Sequence, residues 1–164
     1  MQTIQSILQS KFVPENIRKD SLLFQVVSEA DFKCSVAGTD FTVRMSAAAG
    51  TKEAALDALA HGRKAYCYAI GFLRDVGVRM HPPSSLLTIS LICHSSKRQW
   101  PASPGAPLSP TNINGGVTWF PGGGVVHSAV FRTEEMVKVL MHETIHAMRI
   151  PVCHHKLDGD WPFL

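Results

Sequence analysis

Apolar residues recur along this chain in two rhythms, and the switches between them predict the order of its elements. Residues 2–11 have the spacing of a short amphipathic helix. Three short runs follow, LLFQVV (22–27), FKCSVAG (32–38) and DFTVRMS (40–46), interrupted by Asp, Gly and Thr as expected of strands in a small antiparallel sheet. From Thr51 the period lengthens. Thr51 is a good N-cap, Ala55, Leu56, Leu59, Ala65, Tyr66, Ala69, Ile70 and Leu73 fall at helical spacing, and Gly77 closes the segment. It predicts the longest helix of the chain, backing the core.

After the Pro82-Pro83 turn, SLLTISLIC (85–93) is continuously apolar and β-branched, which suits a strand covered on both faces near the sheet centre. Residues 94–111 are rich in Pro and small polar residues and predict a surface loop or flap. GGVTWF (115–120), PGGG (121–124) and VVHSAVFR (125–132) then predict a hairpin. A helix follows over EMVKVLMHETIHAMRI, with Thr133 as its N-cap, Glu134 and Glu135 at the positive end of its dipole, and Pro151 as its stop. Met136, Val139, Leu140, Ala147 and Ile150 form its apolar stripe.

Composition narrows this pattern to one α+β domain over residues 1–164, a small mixed sheet with a long backing helix and a helix bearing candidate chemistry. The chain has 164 residues, 45% hydrophobic and 18% charged, which excludes a coiled coil or a chain disordered throughout. The formal charge of +3 is spread without a basic run, so it provides no strong signal for nucleic acid. Lys97, Arg98 and Trp100 make only a small basic-aromatic spot. No run approaches the ~20 apolar residues of a membrane span, and the first residues lack a signal peptide's pattern. The expectation is therefore a soluble, cytoplasmic protein. Its 4 cysteines (34, 67, 93 and 153) show no CxxC and are expected as reduced, mostly buried thiols.

The last helix contains His142-Glu143-Thr144-Ile145-His146, an HExxH sequence. The i, i+4 spacing puts both imidazoles on one helix face, where two nitrogens can reach one Zn²⁺ at ~2.0–2.1 Å. Glu143 is turned about 100° from His142, so it can reach a metal-bound water as general base without ligating the metal. The competing reading is an amphipathic helix that happens to carry two histidines; the Glu at the second position and the hairpin just before the helix favour the metal.

The order of long helix, strand, hairpin and HExxH helix resembles that of zincin metallopeptidases. More narrowly, TNINGGVTW followed by VFRTEEMVKVLMHETIHAMRI is similar to zincin-like metallopeptidases of large double-stranded DNA viruses, over about residues 86–150. The resemblance implies a zinc-dependent peptidase in a zincin-like domain, with His142 and His146 as ligands and Glu143 as base and proton shuttle. It also implies that the strand before the helix is a sheet edge pairing with an extended peptide or protein substrate. Val125, Val126, His127, Ser128 and Ala129 are the residues placed there.

Zincins take a third protein ligand, commonly a Glu on a further helix. The 18 residues after His146 contain no Glu, and the continuation HxxGxxH is absent, because Arg149 and Val152 stand in its place. The tail 151–164 leaves His155 or His154, Asp158 or Asp160, or no ligand in this chain; Pro151 would let the tail fold back. Two other readings stand beside the peptidase: a noncatalytic zinc-bearing interaction module, and a DNA-protein crosslink protease of the SprT type, suggested by HETIHA. His127 is expected to face solvent or, less simply, the cleft. His61, His81 and His94 are expected to be structural, and Cys153 a buried thiol or a thiolate ligand.

Overall fold

A computed structural model describes residues 4–10, 13–28, 31–101, 103–108, 112 and 115–150. Two short helices open the chain, α1 (Ile4–Leu8) and α2 (Glu15–Ser21). The second has no apolar period to announce it, being polar except for the fully buried Ile17. Strands β1 (Gln25–Ser28), β2 (Phe32–Val36) and β3 (Thr39–Ala49) come next, then the long helix α3 (Lys52–Asp75) and strand β4 (Leu86–His94). The hairpin β5 (Gly116–Gly122) and β6 (Val125–Arg132) leads into helix α4 (Met136–Ala147).

The fold is mixed α+β. Its six strands form one sheet in the order β1-β3-β4-β6-β5, with β2 also on β3. β1 and β2 run antiparallel to β3, as the sequence predicts, whereas β3, β4 and β6 are mutually parallel and β5 returns antiparallel on β6. Parallel neighbours on both sides explain why β4 is apolar without alternation: both of its faces are covered.

On one face, Val43, Met45, Leu87, Leu91, Val126 and Val130 pack against α3 and α4. Helix α3 turns a side rich in small residues to the sheet, including Ala55, Ala58, Gly62, Ala65 and Ala69. A Cβ at Gly62 would stand 2.4 Å from Leu91 Cδ1, so the helix approaches β4 closely only because this residue has none. Thr51 caps it as predicted, its side chain accepting from the Ala54 N–H at 3.2 Å. Leu56, expected in the core, is instead exposed. The other sheet face carries Ala48, Ile92, Ala129 and Phe131 under α1 and α2.

Two expectations at the last helix are corrected. α4 begins at Met136 after Glu135, not at Thr133, and its cap makes no side-chain hydrogen bond. It ends before Pro151 is reached: Arg149 adopts φ +46°, and the N–H groups of Arg149 and Ile150 bond back to the carbonyls of His146 and Ile145. This is the Schellman arrangement, with Arg in the position that glycine normally fills. Cys34, Cys67 and Cys93 are free thiols as predicted, but Cys67 is exposed and the other two are only half-buried.

Candidate metal and catalytic site

The buried side of α4 is made by Met136, Val139, Leu140, Glu143, Thr144 and Ala147, so its docking on the sheet and α3 sets the rotation of every other side chain. His142 and His146 then lie side by side on the flank of the helix. Their Nε2 atoms are 2.9 Å apart and their ring centroids 4.6 Å. Two nitrogens on one tetrahedral zinc at ~2.0–2.1 Å stand about 3.3 Å apart, so this pair fits two of a zinc's ligands with a small rotation of the rings. Burial, and then the neighbouring His142, lowers the His146 pKa and favours the neutral imidazole that a metal needs.

Among the described residues no third His, Cys, Asp or Glu joins the pair. His154, His155, Asp158, Asp160 and Cys153 lie outside the described residues.

Glu143 is 4% exposed and points toward β5. The Thr118 hydroxyl lies 2.6 Å from Glu143 Oε2 and 2.9 Å from Ser128 Oγ. With Thr118 donating to the carboxylate, Ser128 is left to donate to Thr118, which satisfies both hydroxyls in one direction. Burial pushes the Glu143 carboxyl up to about 7, and the Thr118 hydrogen bond pulls against that rise. Its proton affinity is thus matched to transfer near neutral pH.

Strand β5 approaches α4 closely because residue 116 is glycine. A Cβ there would lie 2.7 Å from Val139 Cγ1 and 2.8 Å from both the Ala129 carbonyl and Glu143 Oε1. Strand alternation puts Gly116, Thr118 and Phe120 on the α4 side, and Phe120 carries the Arg149 guanidinium 4.8 Å from its ring centre. The sequence assigns no role to Thr118 or Arg149 and places Ser128 only on the expected substrate strand. The period-2 alternation of the hairpin selects Thr118 and Ser128 once the side facing α4 is known; Arg149, beyond the helix, carries no such signal.

The predicted substrate strand is corrected here. β6, which carries Val125, Val126, His127, Ser128 and Ala129, is paired on both sides, with β4 and with β5. It therefore has no free main-chain edge. The outermost strand beside α4 is β5. Of the five residues, only Ser128 touches the Glu143 relay. His127 faces neither solvent nor the cleft: it is 8% exposed on the opposite side of the sheet, bonded through Nδ1 to the Thr88 hydroxyl and 5.4 Å from the Trp119 ring.

The base of the 94–111 loop is tied to the start of α4. Arg98 pairs with Glu135 at 2.5 Å, and its N–H donates to Glu134 at 3.1 Å. Burial alone would raise the Glu135 carboxyl, but the Lys138 hydrogen bond and the charges of Arg98, Lys138 and Arg132 outweigh it and hold the pKa low. Trp100 remains 94% exposed nearby. On the far face, His94 is buried between Asp20, 3.1 Å from its Nε2, and the Ser96 N–H, a structural role as expected. His61 and His81 are exposed.

Compared with known proteins, the chain matches no family model, and no curated protein or solved structure is significantly similar to it.

Proposed function

We propose that this chain is a zinc-dependent metallopeptidase with a zincin-like domain, hydrolysing peptide bonds of a protein or peptide substrate. The observation that carries the reading is one arrangement: two convergent imidazoles on the flank of α4, a buried carboxyl one residue on from the first, and an outer strand lying over that carboxyl. His142 and His146 would hold the metal through Nε2, and the third ligand is proposed among His155, His154, Asp158 and Asp160. Bound zinc supplies Lewis-acid polarisation of a peptide carbonyl and acidifies water in its coordination sphere.

The remaining steps fall to the chain's own side chains. Glu143 takes a proton from the attacking water as its oxygen adds to the peptide carbonyl carbon. It then delivers a proton to the amide nitrogen as the C–N bond breaks. Thr118 holds Oε2 throughout, which fixes the carboxyl against β5. The outer edge of β5, rather than β6, would take an extended peptide by main-chain hydrogen bonds.

The test loads the full chain and its Glu143→Gln variant with zinc and assays both on a broad mixture of quenched peptides. Zinc is expected to bind both at 1:1, with hydrolysis falling by about 100-fold or more in the variant, the range for removing a general base. A variant with wild-type turnover overturns the base assignment. Zinc that binds, depends on His142 and His146, and supports no hydrolysis of any peptide moves the reading to a noncatalytic zinc-bearing module.

A further inference from the structure

Along β5, alternate residues meet first α4 and then the turn that follows it. Gly116 sits against Val139 and Glu143, Thr118 bonds Glu143, and Phe120 lies under the guanidinium of Arg149. An extended chain lying along this strand past Glu143 therefore also passes the Phe120–Arg149 pair, one side-chain repeat or about 7 Å farther along. Arg149 is three residues beyond His146, just past the C-terminal end of α4.

Two features set this arginine apart from an ordinary surface charge. Its backbone is left-handed, φ +46°, at a helix-ending position where glycine is the unstrained choice. A side chain kept there against that preference points to a use for the side chain, as backbone outliers do elsewhere. The second feature is its placement. The guanidinium rests over the Phe120 ring, and among the described residues no carboxylate pairs with it. A guanidinium stacked on an aromatic ring still presents N–H donors around its rim, in the fork that matches a carboxylate.

We propose that Arg149, steadied on Phe120, is a carboxylate-recognition point that makes acidic peptides the favoured substrates of this site. The proposal rests on the peptidase reading for its location, but binding can be read without turnover. The carboxylate could come from an Asp or Glu side chain or from a peptide's own C-terminus. The first source would place an acidic residue within about two positions of the cleaved bond.

The experiment uses two sets of peptides. One is acetylated and amidated, with Glu, Gln or Lys scanned through each position; the other has free C-termini and no acidic side chain. Hydrolysis is measured with the zinc-loaded full chain. Binding is measured in parallel by fluorescence anisotropy on the Glu143→Gln variant. Glu over Gln at one position is expected to raise kcat/KM and affinity by about tenfold or more, the scale of a charge-assisted bidentate pair. Preference confined to the second set identifies the terminal carboxylate as the source.

Arg149→Gly is the informative variant, because glycine suits the left-handed backbone and is expected to leave the melting temperature unchanged or raised. It should abolish the Glu preference, and Arg149→Glu should turn it toward Lys. Equal handling of Glu and Gln by wild type together with no preference for a free C-terminus over its amide, or a carboxylate preference that survives Arg149→Gly, overturns the proposal. A marked fall in melting temperature in Arg149→Gly assigns the arginine to the fold and overturns it as well. If no peptide is cleaved but acidic peptides bind in an Arg149-dependent way, the peptidase reading fails and the recognition point stands.

Discussion

Thr118 and Glu143 belong to elements formed 25 residues apart, yet the Thr118 hydroxyl stands 2.6 Å from Oε2 of the Glu143 carboxyl. A buried carboxylate with a fixed donor on one oxygen has one orientation, and in the proposed reaction the other oxygen would carry the proton. Ser128, 2.9 Å from the same hydroxyl, keeps that donor aimed.

The first prediction tests this positioning. Thr118→Val keeps the shape of the side chain and removes the donor, leaving Glu143 buried without its partner. Peptide hydrolysis should fall by about tenfold or more, the usual effect of removing an outer-shell partner at a metal site. Thr118→Ser should restore most of it, since the hydroxyl returns while the methyl does not. The check is kcat and KM for the two variants: a Val variant as active as wild type, with the loss confined to Ser, would show that only β-branched packing matters, and the positioning role would be withdrawn.

How much of this was readable beforehand depends on whether the signal is local. The HExxH spacing and the stripe through Met136, Val139 and Leu140 repeat within a few turns, so the helix, its buried side and the convergence of His142 and His146 follow from α-helical geometry alone. Strand neighbours do not follow in this way. The resemblance to zincins makes VVHSAVFR, the strand before the helix, a sheet edge, but it is an interior strand, buried over nearly its whole length. β5 bears the marks of an edge, graded exposure and Pro121 within the strand. The polar His127 disguised the interior strand, since its burial is made tolerable by Thr88, which lies on β4 far away in sequence. Long-range pairing of that kind leaves no periodic trace.

The second prediction concerns two glycines with opposite surroundings. Gly116→Ala pushes a methyl against the Ala129 carbonyl and Val139, with the carboxyl of Glu143 equally close. Backbone cannot yield as a side chain can, so unfolding free energy should fall by about 1–3 kcal/mol, the usual cost of overpacking. Gly71, inside α3, has nothing within 4 Å of a Cβ. Gly71→Ala should stabilise by about 0.5–1 kcal/mol through helix propensity and lost freedom of the unfolded chain. Urea denaturation of both variants checks the pair, and a tolerated Gly116→Ala would mean that β5 and α4 are not held at this distance.

The third prediction uses pH and a residue on the face away from the proposed catalytic site. Burial lowers the His127 pKa below its ordinary 6.5, because the imidazolium loses its hydration between Thr88 and Trp119. The unfolded chain takes up a proton near 6.5 and the folded chain only at lower pH. Between those two values the unfolded state binds more protons, so falling pH removes stability. The contribution is complete above the unfolded pKa and lost as the pH drops through the folded one. Wild-type protein should therefore lose more stability between pH 7.5 and 5.5 than His127→Gln does, whatever the absolute stability of the variant. Other titrating groups act in both proteins and cancel in the difference. The same urea midpoint shift in the two would place His127 in water, against its burial; a larger shift in the variant would reverse the sign and give His127 a raised pKa, as a carboxylate partner would.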